Sequence, residues 1–161
     1  MRQLSAVEFV VAFSVAASVV AVAIPVFARN LRASRFAEPM EGLAQIAAQA
    51  AVLGVARAAE GAYPASVGLT PSEVPHGRPQ IDPPGTWDQE TWRQLGFEQL
   101  GPHYFSFAFE SRIRGGGVQF TALAHGDLDG DGAQSTFSIS GEAQSGAQSH
   151  LDPLYMNREV E

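Results

Sequence analysis

An uncharged apolar run near the N-terminus constrains this chain more than any other feature. From Phe9 to Ala28 there are 20 consecutive uncharged residues, and the only polar ones are two serines. At ~1.5 Å per residue, a helix of this length matches the ~30 Å hydrocarbon core of a bilayer. The run therefore predicts a membrane span over residues 9–28. The alternative is a secretory signal peptide cut near residues 21–23, although such apolar regions are usually shorter and lack an acid like Glu8 at their leading edge.

Composition excludes several kinds of chemistry. The 161-residue chain has no cysteine, and its ten basic residues are all arginines. Disulfides, thiolate nucleophiles, cysteine zinc sites and lysine Schiff bases are therefore ruled out. Residues 61–161 hold 13 acidic residues against five arginines, which argues against nucleic acid as a partner because phosphate contacts need clustered positive charge. The sequence has no nucleophile elbow or phosphate-binding loop, so we do not expect an enzyme.

The chain beyond the apolar run predicts continued helix. Residues 29–60 are rich in alanine, glutamine, leucine and arginine, which favour helix. Apolar side chains recur every three or four positions from Leu43 to Val55, so one face of this part should be buried. We therefore expect one long helix over residues 4–60, with its first half in the membrane and bends at Pro25 and Pro39.

Residues 61–161 predict an acidic globular head. Seven prolines make most of residues 61–103 a loop, apart from a short helix over residues 87–95 that Gly96 should end. Strand periodicity of two appears in three later segments, at residues 104–111, 118–125 and 134–140. Short links between them predict an antiparallel meander, followed by a loose tail over residues 141–148. The expected fold class is α+β, with the long N-terminal helix packed on a small antiparallel sheet.

A spaced pair of residues belongs to the apolar run. Glu8 lies at its leading edge, and Pro25 follows seventeen residues later within the segment Ala-Ile-Pro-Val-Phe. Together with the charged start, this pattern resembles the N-terminus of type IV pilins and type II secretion pseudopilins. Later segments, such as Tyr-Pro-Ala at residues 63–65 and Gly-Asp-Leu-Asp-Gly-Asp-Gly at residues 126–132, look like a branch of that family.

The resemblance implies roles for particular residues. A prepilin peptidase would cut between Gln3 and Leu4, which makes residues 1–3 a leader. Glu8 would pair with the freed amino group of Leu4 in a neighbouring subunit and set the register between helices, and Pro25 would let the helix bend.

The resemblance also implies a function and a location. The chain would be a structural subunit of a type IV pilus or a pseudopilus-like filament, assembled through its hydrophobic N-terminal helix. Its partners would be copies of itself or related pilins, the prepilin peptidase, the assembly machinery and the membrane. It would be a single-pass inner-membrane protein before assembly and then part of a periplasmic or cell-surface filament.

The residue before the implied cut leaves a second interpretation open. The family normally has glycine there, whereas this chain has Gln3. An uncut chain would stay a permanently tethered single-pass inner-membrane protein, with a periplasmic head that binds a partner or calcium. Glu8 would then only reach toward the lipid headgroups, and Pro25 would be tolerated at the membrane boundary.

A short acidic segment raises the question of calcium. Its three aspartates have the spacing of the first ligands of a calcium loop: Asp127, Asp129 and Asp131. The twelfth position of an EF-hand would fall on Ser138, so this is not an EF-hand. The carbonyl of Ala133 and an acid such as Glu110 or Asp152 would have to complete a site. The alternative is an acidic turn that simply adopts the required backbone angles. No other cofactor is expected.

The remaining chemistry-bearing and aromatic residues point mainly to a core. The four histidines, at positions 76, 103, 125 and 150, have no metal-ligand spacing, although His103 and His125 could meet across strands. The tryptophans and the phenylalanines of residues 97–109 are expected in the core. The face of the helix that carries Leu43 and Ile46 should lie on the sheet.

Overall fold

The computed structural model describes residues 34–56, 61–114, 117–144 and 150–157, with six separate positions in the apolar run. These six are Val10, Phe13, Ser14, Ala17, Ser18 and Ala21. The chain divides into two compact units, residues 1–34 and residues 35–161. In the first unit the six positions are helical and exposed, and the Ser18 hydroxyl donates to the backbone oxygen of Ser14 at 2.8 Å. The second unit contains the helices and the sheet that follow.

The main helix of the second unit, α1, spans Ala37–Ala56 and follows a 3-10 turn over Ser34–Phe36. Pro39 is its third residue. The backbone N–H groups of the first turn have no acceptor within the helix, so a proline there, which has no N–H, removes no helical hydrogen bond. Glu38 lies in the same turn, where the helix dipole favours a negative charge. Pro39, expected to bend a longer helix, therefore belongs to the first turn of this one.

The expected single helix over residues 4–60, with a membrane-spanning first half, is wrong for the described part of the chain. The helix that packs on the sheet is only 20 residues long, and Glu38 and Glu41 lie near its start. Gln45 and Gln49 lower its mean hydropathy further. Among the described residues no helix is both long and apolar enough to cross a bilayer. The predicted span and leader lie outside the described residues, apart from the six positions above.

A six-stranded antiparallel sheet forms most of the second unit. Its strands are β1 (Val67–Thr70), β2 (Phe105–Arg114), β3 (Gly117–Gly126), β4 (Ser135–Gln144), β5 (His150–Leu151) and β6 (Tyr155–Asn157). Their order is β1-β2-β3-β4-β5, and β6 pairs with β4 as well. The predicted meander of three strands is confirmed by the antiparallel pairing of β2, β3 and β4. The sheet is larger than expected because three short strands extend it.

There are physical reasons why the sequence pattern did not predict the three short strands. β1 has four residues and lies in a segment expected to be loop, between Pro64 and Pro71. β5 and β6 have two and three residues, too few to show a period of two. All three form because longer strands offer them hydrogen-bonding partners. The tail expected to be loose begins inside β4, which continues to Gln144.

The helix α1 packs on the inner face of the sheet, as predicted. Its fully buried stripe consists of Leu43, Ile46, Ala47 and Ala50. Gly42 allows the two layers to approach closely, because a Cβ there would lie 2.7 Å from two ring carbons of Phe107. Any larger residue at position 42 would push the helix away from β2.

An aromatic cluster fills the space beside α1. The short helix α2 spans Glu90–Leu95 and ends at Gly96, which adopts the left-handed conformation expected of a helix stop. Trp92 on this helix packs against Trp87 and Phe97, with ring centroids 5.3 and 5.6 Å apart. Phe97 in turn meets Phe107 of β2 at 4.9 Å. The predicted aromatic core is therefore confirmed.

Candidate functional site

The acidic loop follows β3 directly and is held against residues 76–77. Asp127 forms an isolated bridge with His76, and the backbone N–H of Gly77 donates to the Asp127 carbonyl at 2.7 Å. The loop turns at Gly130 and Gly132, whose φ angles of 78° and 93° favour glycine. The alternation of aspartate and glycine in the sequence is therefore what this turn requires.

The side chain of Asp127 is fully buried and organises the loop from inside. Its Oδ1 accepts the backbone N–H of Gly130 at 2.7 Å, and its Oδ2 accepts that of Gly132 at 3.0 Å. Nδ1 of His76 lies 2.8 Å from the same Oδ2. Burial raises the pKa of Asp127, but the hydrogen bonds from His76, Gly130 and Gly132 outweigh it and leave the pKa below its ordinary value.

The other two aspartates lie on the exposed side of the loop. Asp129 accepts the backbone N–H of Asp131, and Asp131 accepts that of Ala133 at 2.7 Å. One carboxylate oxygen from each of the three aspartates lies within 4.8 Å of the others. Hard oxygen ligands of this kind suit calcium. The predicted cluster of Asp127, Asp129 and Asp131 is thus brought together.

Ala133 belongs to this loop, but the additional acids expected from the sequence, Glu110 and Asp152, are not near it. Glu110 pairs with Thr121 in the sheet. Thr121 precedes Asp127 by six residues, and at ~3.3 Å per residue of strand this separates Glu110 from the loop by about 20 Å. Asp152 hydrogen-bonds through its backbone to Ser140, in the middle of β4. The fit to calcium therefore rests on three carboxylates, of which Asp127 already accepts three hydrogen bonds.

A second polar cluster surrounds His103, two residues before β2 begins. The sequence did not reveal it. His103 and Asp82 are its central pair, with side chains 1% and 2% exposed and Nε2 and Oδ2 3.0 Å apart. Nε1 of Trp87 donates to the same Oδ2 at 2.8 Å, and Nε2 of Gln80 donates to Oδ1 at 3.2 Å. The suggested contact of His103 with His125 is wrong, because His125 pairs with Ser106 in the register of β2 and β3.

Glu38 connects this region to the first turn of α1. Its carboxylate accepts the backbone N–H groups of Tyr104 and Phe105 at 2.9 and 3.0 Å. Burial raises the pKa of Glu38 above its ordinary value, although these hydrogen bonds and the charges of His103 and Arg35 oppose the change. The guanidinium of Arg35 lies 4.0 Å from the centroid of the Tyr104 ring.

The outer face of α1 carries several exposed apolar side chains. They are Met40, Ala44, Ala48, Val52 and Val55, and the exposed polar residues Glu41 and Gln45 lie among them near the start of the helix. Val52 is 60% exposed and Val55 is 74% exposed. No charged residue occurs between Gly42 and Ala56. A helix on the surface of a sheet normally has polar or charged residues along its solvent side, whereas the exposed residues of α1 after Gln45 are all apolar.

The residues implied by the N-terminal resemblance cannot be placed in the structure. Gln3, Leu4, Glu8 and Pro25 all lie outside the described residues. Comparison of the chain with protein-family models, with curated proteins and with solved structures finds no match.

Proposed function

We propose that this chain is a structural subunit of a filament of the type IV pilus or type II secretion pseudopilus kind. The observation that carries the proposal is the outer face of the C-terminal half of α1, where the exposed residues Ala48, Val52, Val55 and Ala56 are all apolar. Exposed apolar faces mark surfaces on which other proteins pack. A filament subunit needs such a face because head-to-tail contacts between copies generate a helical assembly.

The N-terminal sequence supports the same function. The uncharged run from Phe9 to Ala28 is much more apolar than a solvent-exposed helix can be. The described residues Val10 and Phe13 in this run are more than half exposed within the isolated chain. Packing among copies in a filament would cover these side chains. The spacing of Glu8 and Pro25, seventeen residues apart, supports the pilin type among possible filaments.

The proposal includes partners and a location. The subunit is held at the inner membrane through its apolar N-terminal segment until the pilus or secretion machinery incorporates it. A prepilin peptidase cuts after Gln3, and Leu4 becomes the new N-terminus. Glu8 then pairs with that amino group in a neighbouring copy. An unpaired charged side chain within a membrane-spanning segment costs about 3 kcal/mol, and the pairing avoids this cost. The acidic head, residues 61–161, faces the periplasm or the cell surface.

One experiment separates this function from that of an uncut, permanently tethered protein. The mass of the N-terminal peptide is measured on the native protein, in sheared surface material and in inner membranes separately. A peptide that begins at Leu4 in the sheared fraction supports the filament. An intact Met1 found only in the membrane fraction contradicts it and favours the tethered protein, for which Gln3 in place of glycine is the sequence argument.

A further inference from the structure

A polar cleft lies on the face of the sheet that points away from α1. Phe107 and Phe109 of β2 are buried on the inner face, so the alternate residues of this strand lie on the outer face. The cleft there has a volume of about 130 Å³. Side chains of β2 and β3 line it: Glu110, Arg112, Arg114, Gln119 and Thr121.

The cleft is positively charged in an otherwise acidic head. Its two arginines and one glutamate sum to +1, whereas residues 61–161 hold 13 acidic residues against five arginines. Nη2 of Arg112 lies 2.7 Å from Oε2 of Glu110, and the Arg112 side chain is 74% exposed. An exposed ion pair of this kind is weak. Because a guanidinium has five N–H donors, Arg112 can bind a second carboxylate as well.

The space beside Arg114 can hold such a carboxylate. Arg114 is exposed and lies opposite Gly117 in the register of β2 and β3, and glycine has no side chain to fill that space. The side-chain amide of Gln119 lines the same cleft and can donate a hydrogen bond to an anion. The chemistry of the cleft therefore suits a carboxylate group.

Exposed carboxylates lie beyond the other end of the same strands. β3 runs from Gly117 beside the cleft to Gly126, and the acidic loop that follows it has Asp129 and Asp131 on its exposed side. The seven residues from Gln119 to Gly126 span about 23 Å at ~3.3 Å per residue. The acidic loop of a chain therefore cannot reach the cleft of the same chain.

We propose that the cleft of Arg112 and Arg114 binds the acidic loop of a second copy of this chain, with Asp131 as its main contact. The proposal rests on the filament function above and names a contact between its subunits. Asp131 accepts the backbone N–H of Ala133, but an ionised carboxylate has about four acceptor positions. It can therefore accept from an arginine too, and the planar guanidinium matches a carboxylate well.

The positions of the cleft and the loop determine the form of the assembly. Each copy offers its cleft to one neighbour and its loop to another, so the contact is head-to-tail. Such contacts form a ring if the rotation closes and an open helical filament if it does not. The apolar face of α1 lies on the other side of the sheet, so both surfaces can be covered at the same time.

The direct test is chemical cross-linking of sheared filaments from cells that make the full chain with Gln119→Cys in the cleft and Gln134→Cys beside the loop. The native chain has no cysteine, so only the introduced thiols react, and every charge of the contact is kept. A short bis-maleimide is used, because an ion pair of long side chains holds its Cα atoms farther apart than a disulfide allows. We expect a ladder of covalent dimers, trimers and larger multimers.

The controls separate this contact from other contacts between copies. Each single cysteine variant should give no ladder, because a head-to-tail contact joins two different positions. The matched control is Gln119→Cys combined with Gln89→Cys, an exposed residue before α2, and it should stay monomeric. Filaments of the first double variant that give no ladder would overturn the contact and leave the proposed function in place. If wild type yields no sheared filaments, the proposed function and the contact both fail.

Charge reversal gives a second, independent readout. Arg114→Glu sets a like charge against the loop, and we expect about tenfold fewer sheared filaments. Adding Asp131→Arg restores opposite charges and should recover them. Arg93→Glu is the matched control, because Arg93 is an exposed arginine of α2 outside the cleft, and it should assemble normally.

Two results of the charge reversal would contradict the contact. One is a wild-type amount of filaments from Arg114→Glu. The other is a loss that Asp131→Arg does not relieve in a folded protein, since the cleft would then bind a different acidic partner. If Asp131→Arg does not fold, the cross-linking result decides.

Discussion

Glu38 holds Tyr104 across the boundary between helix and sheet. One carboxylate oxygen of Glu38 accepts the backbone N–H of Tyr104 at 2.9 Å and also that of Phe105 at 3.0 Å. A residue in the first turn of α1 thus supplies the acceptor for two backbone N–H groups at the beginning of β2. This arrangement fixes the helix on the sheet at one end, and the buried side chains of Leu43 and Ile46 hold its middle against the sheet.

Replacing Glu38 should therefore destabilise the protein. Glu38→Ala leaves the N–H groups of Tyr104 and Phe105 without their acceptor, and an unsatisfied buried polar group costs about 1–3 kcal/mol. Urea unfolding of the full chain measures the loss. Glu41→Ala is the matched control, because Glu41 is exposed on the same helix and should change stability by less than about 0.5 kcal/mol. Equal stabilities for the two variants would contradict the role of Glu38.

The buried aspartate of the acidic loop should make the protein sensitive to acid. The hydrogen bonds to Asp127 hold its folded pKa below the ordinary value of 3.8. The stability they supply is therefore complete above about pH 4 and is lost as pH falls through the folded pKa. Asp127→Asn should be less stable than wild type at pH 7, and the gap should narrow at pH 3. The same measurement on Asp131→Asn, an exposed residue of the same loop, should show a smaller gap at pH 7.

Calcium should bind this loop only weakly. The three carboxylates lie within 4.8 Å of one another, but Asp127 already accepts internal hydrogen bonds, and among the described residues no further acid joins the cluster. We expect a dissociation constant on the order of 1 mM, at the weak end of protein calcium sites. Millimolar calcium should raise the melting temperature of the full chain and leave that of the double variant Asp129→Asn, Asp131→Asn unchanged. An unchanged melting temperature in wild type would show that the loop is an acidic turn that does not bind calcium.

Assembly should depend on Glu8. If its carboxylate pairs with the amino group of a neighbouring copy, Glu8→Ala should reach the membrane in normal amounts and yield no sheared filaments. Glu41→Ala, which changes an acid of α1 outside the apolar run, should still give filaments. Normal filaments from Glu8→Ala would remove this residue from the mechanism.

Assembly should also depend on the outer face of α1. A charge buried between subunits costs several kcal/mol unless it is paired, so Val55→Asp should prevent filament formation while the monomer remains folded. The matched control is Ile81→Asp, since Ile81 is also exposed but lies outside α1. If both variants assemble normally, α1 does not supply the contact surface.

The part of the fold that depends on local pattern could be predicted from sequence. Phe105, Phe107 and Phe109 alternate with smaller residues and form one buried face of β2, because a period of two is a property of the strand itself. The end of α2 at Gly96 was predictable for an equally local reason, because glycine readily adopts the left-handed conformation that ends a helix. The start of α1 at Ala37 was missed because a proline such as Pro39 suits both a bend in a long helix and the first turn of a new one.

The polar contacts depend on residues distant in sequence, and that is why the sequence did not reveal most of them. Asp82 and His103 are 21 positions apart, and Glu38 and Tyr104 are 66 apart. No spacing rule connects such pairs. The three aspartates of the acidic loop were found because a turn brings together residues two positions apart. The burial of Asp127 was not predictable, since it depends on contacts with residues 76–77.

The edges of the sheet affect how copies of the protein can associate. β4 would have a long open edge, but β5 covers it at residues 141–142 and β6 covers it at residues 136–138. In the described part of the chain, the opposite edge is β1, only four residues long. Long open edges pair with other chains and lead to amyloid-like aggregation. The short strands β5 and β6 therefore act as covers that leave little of the β4 edge open for a second copy of the protein to extend the sheet.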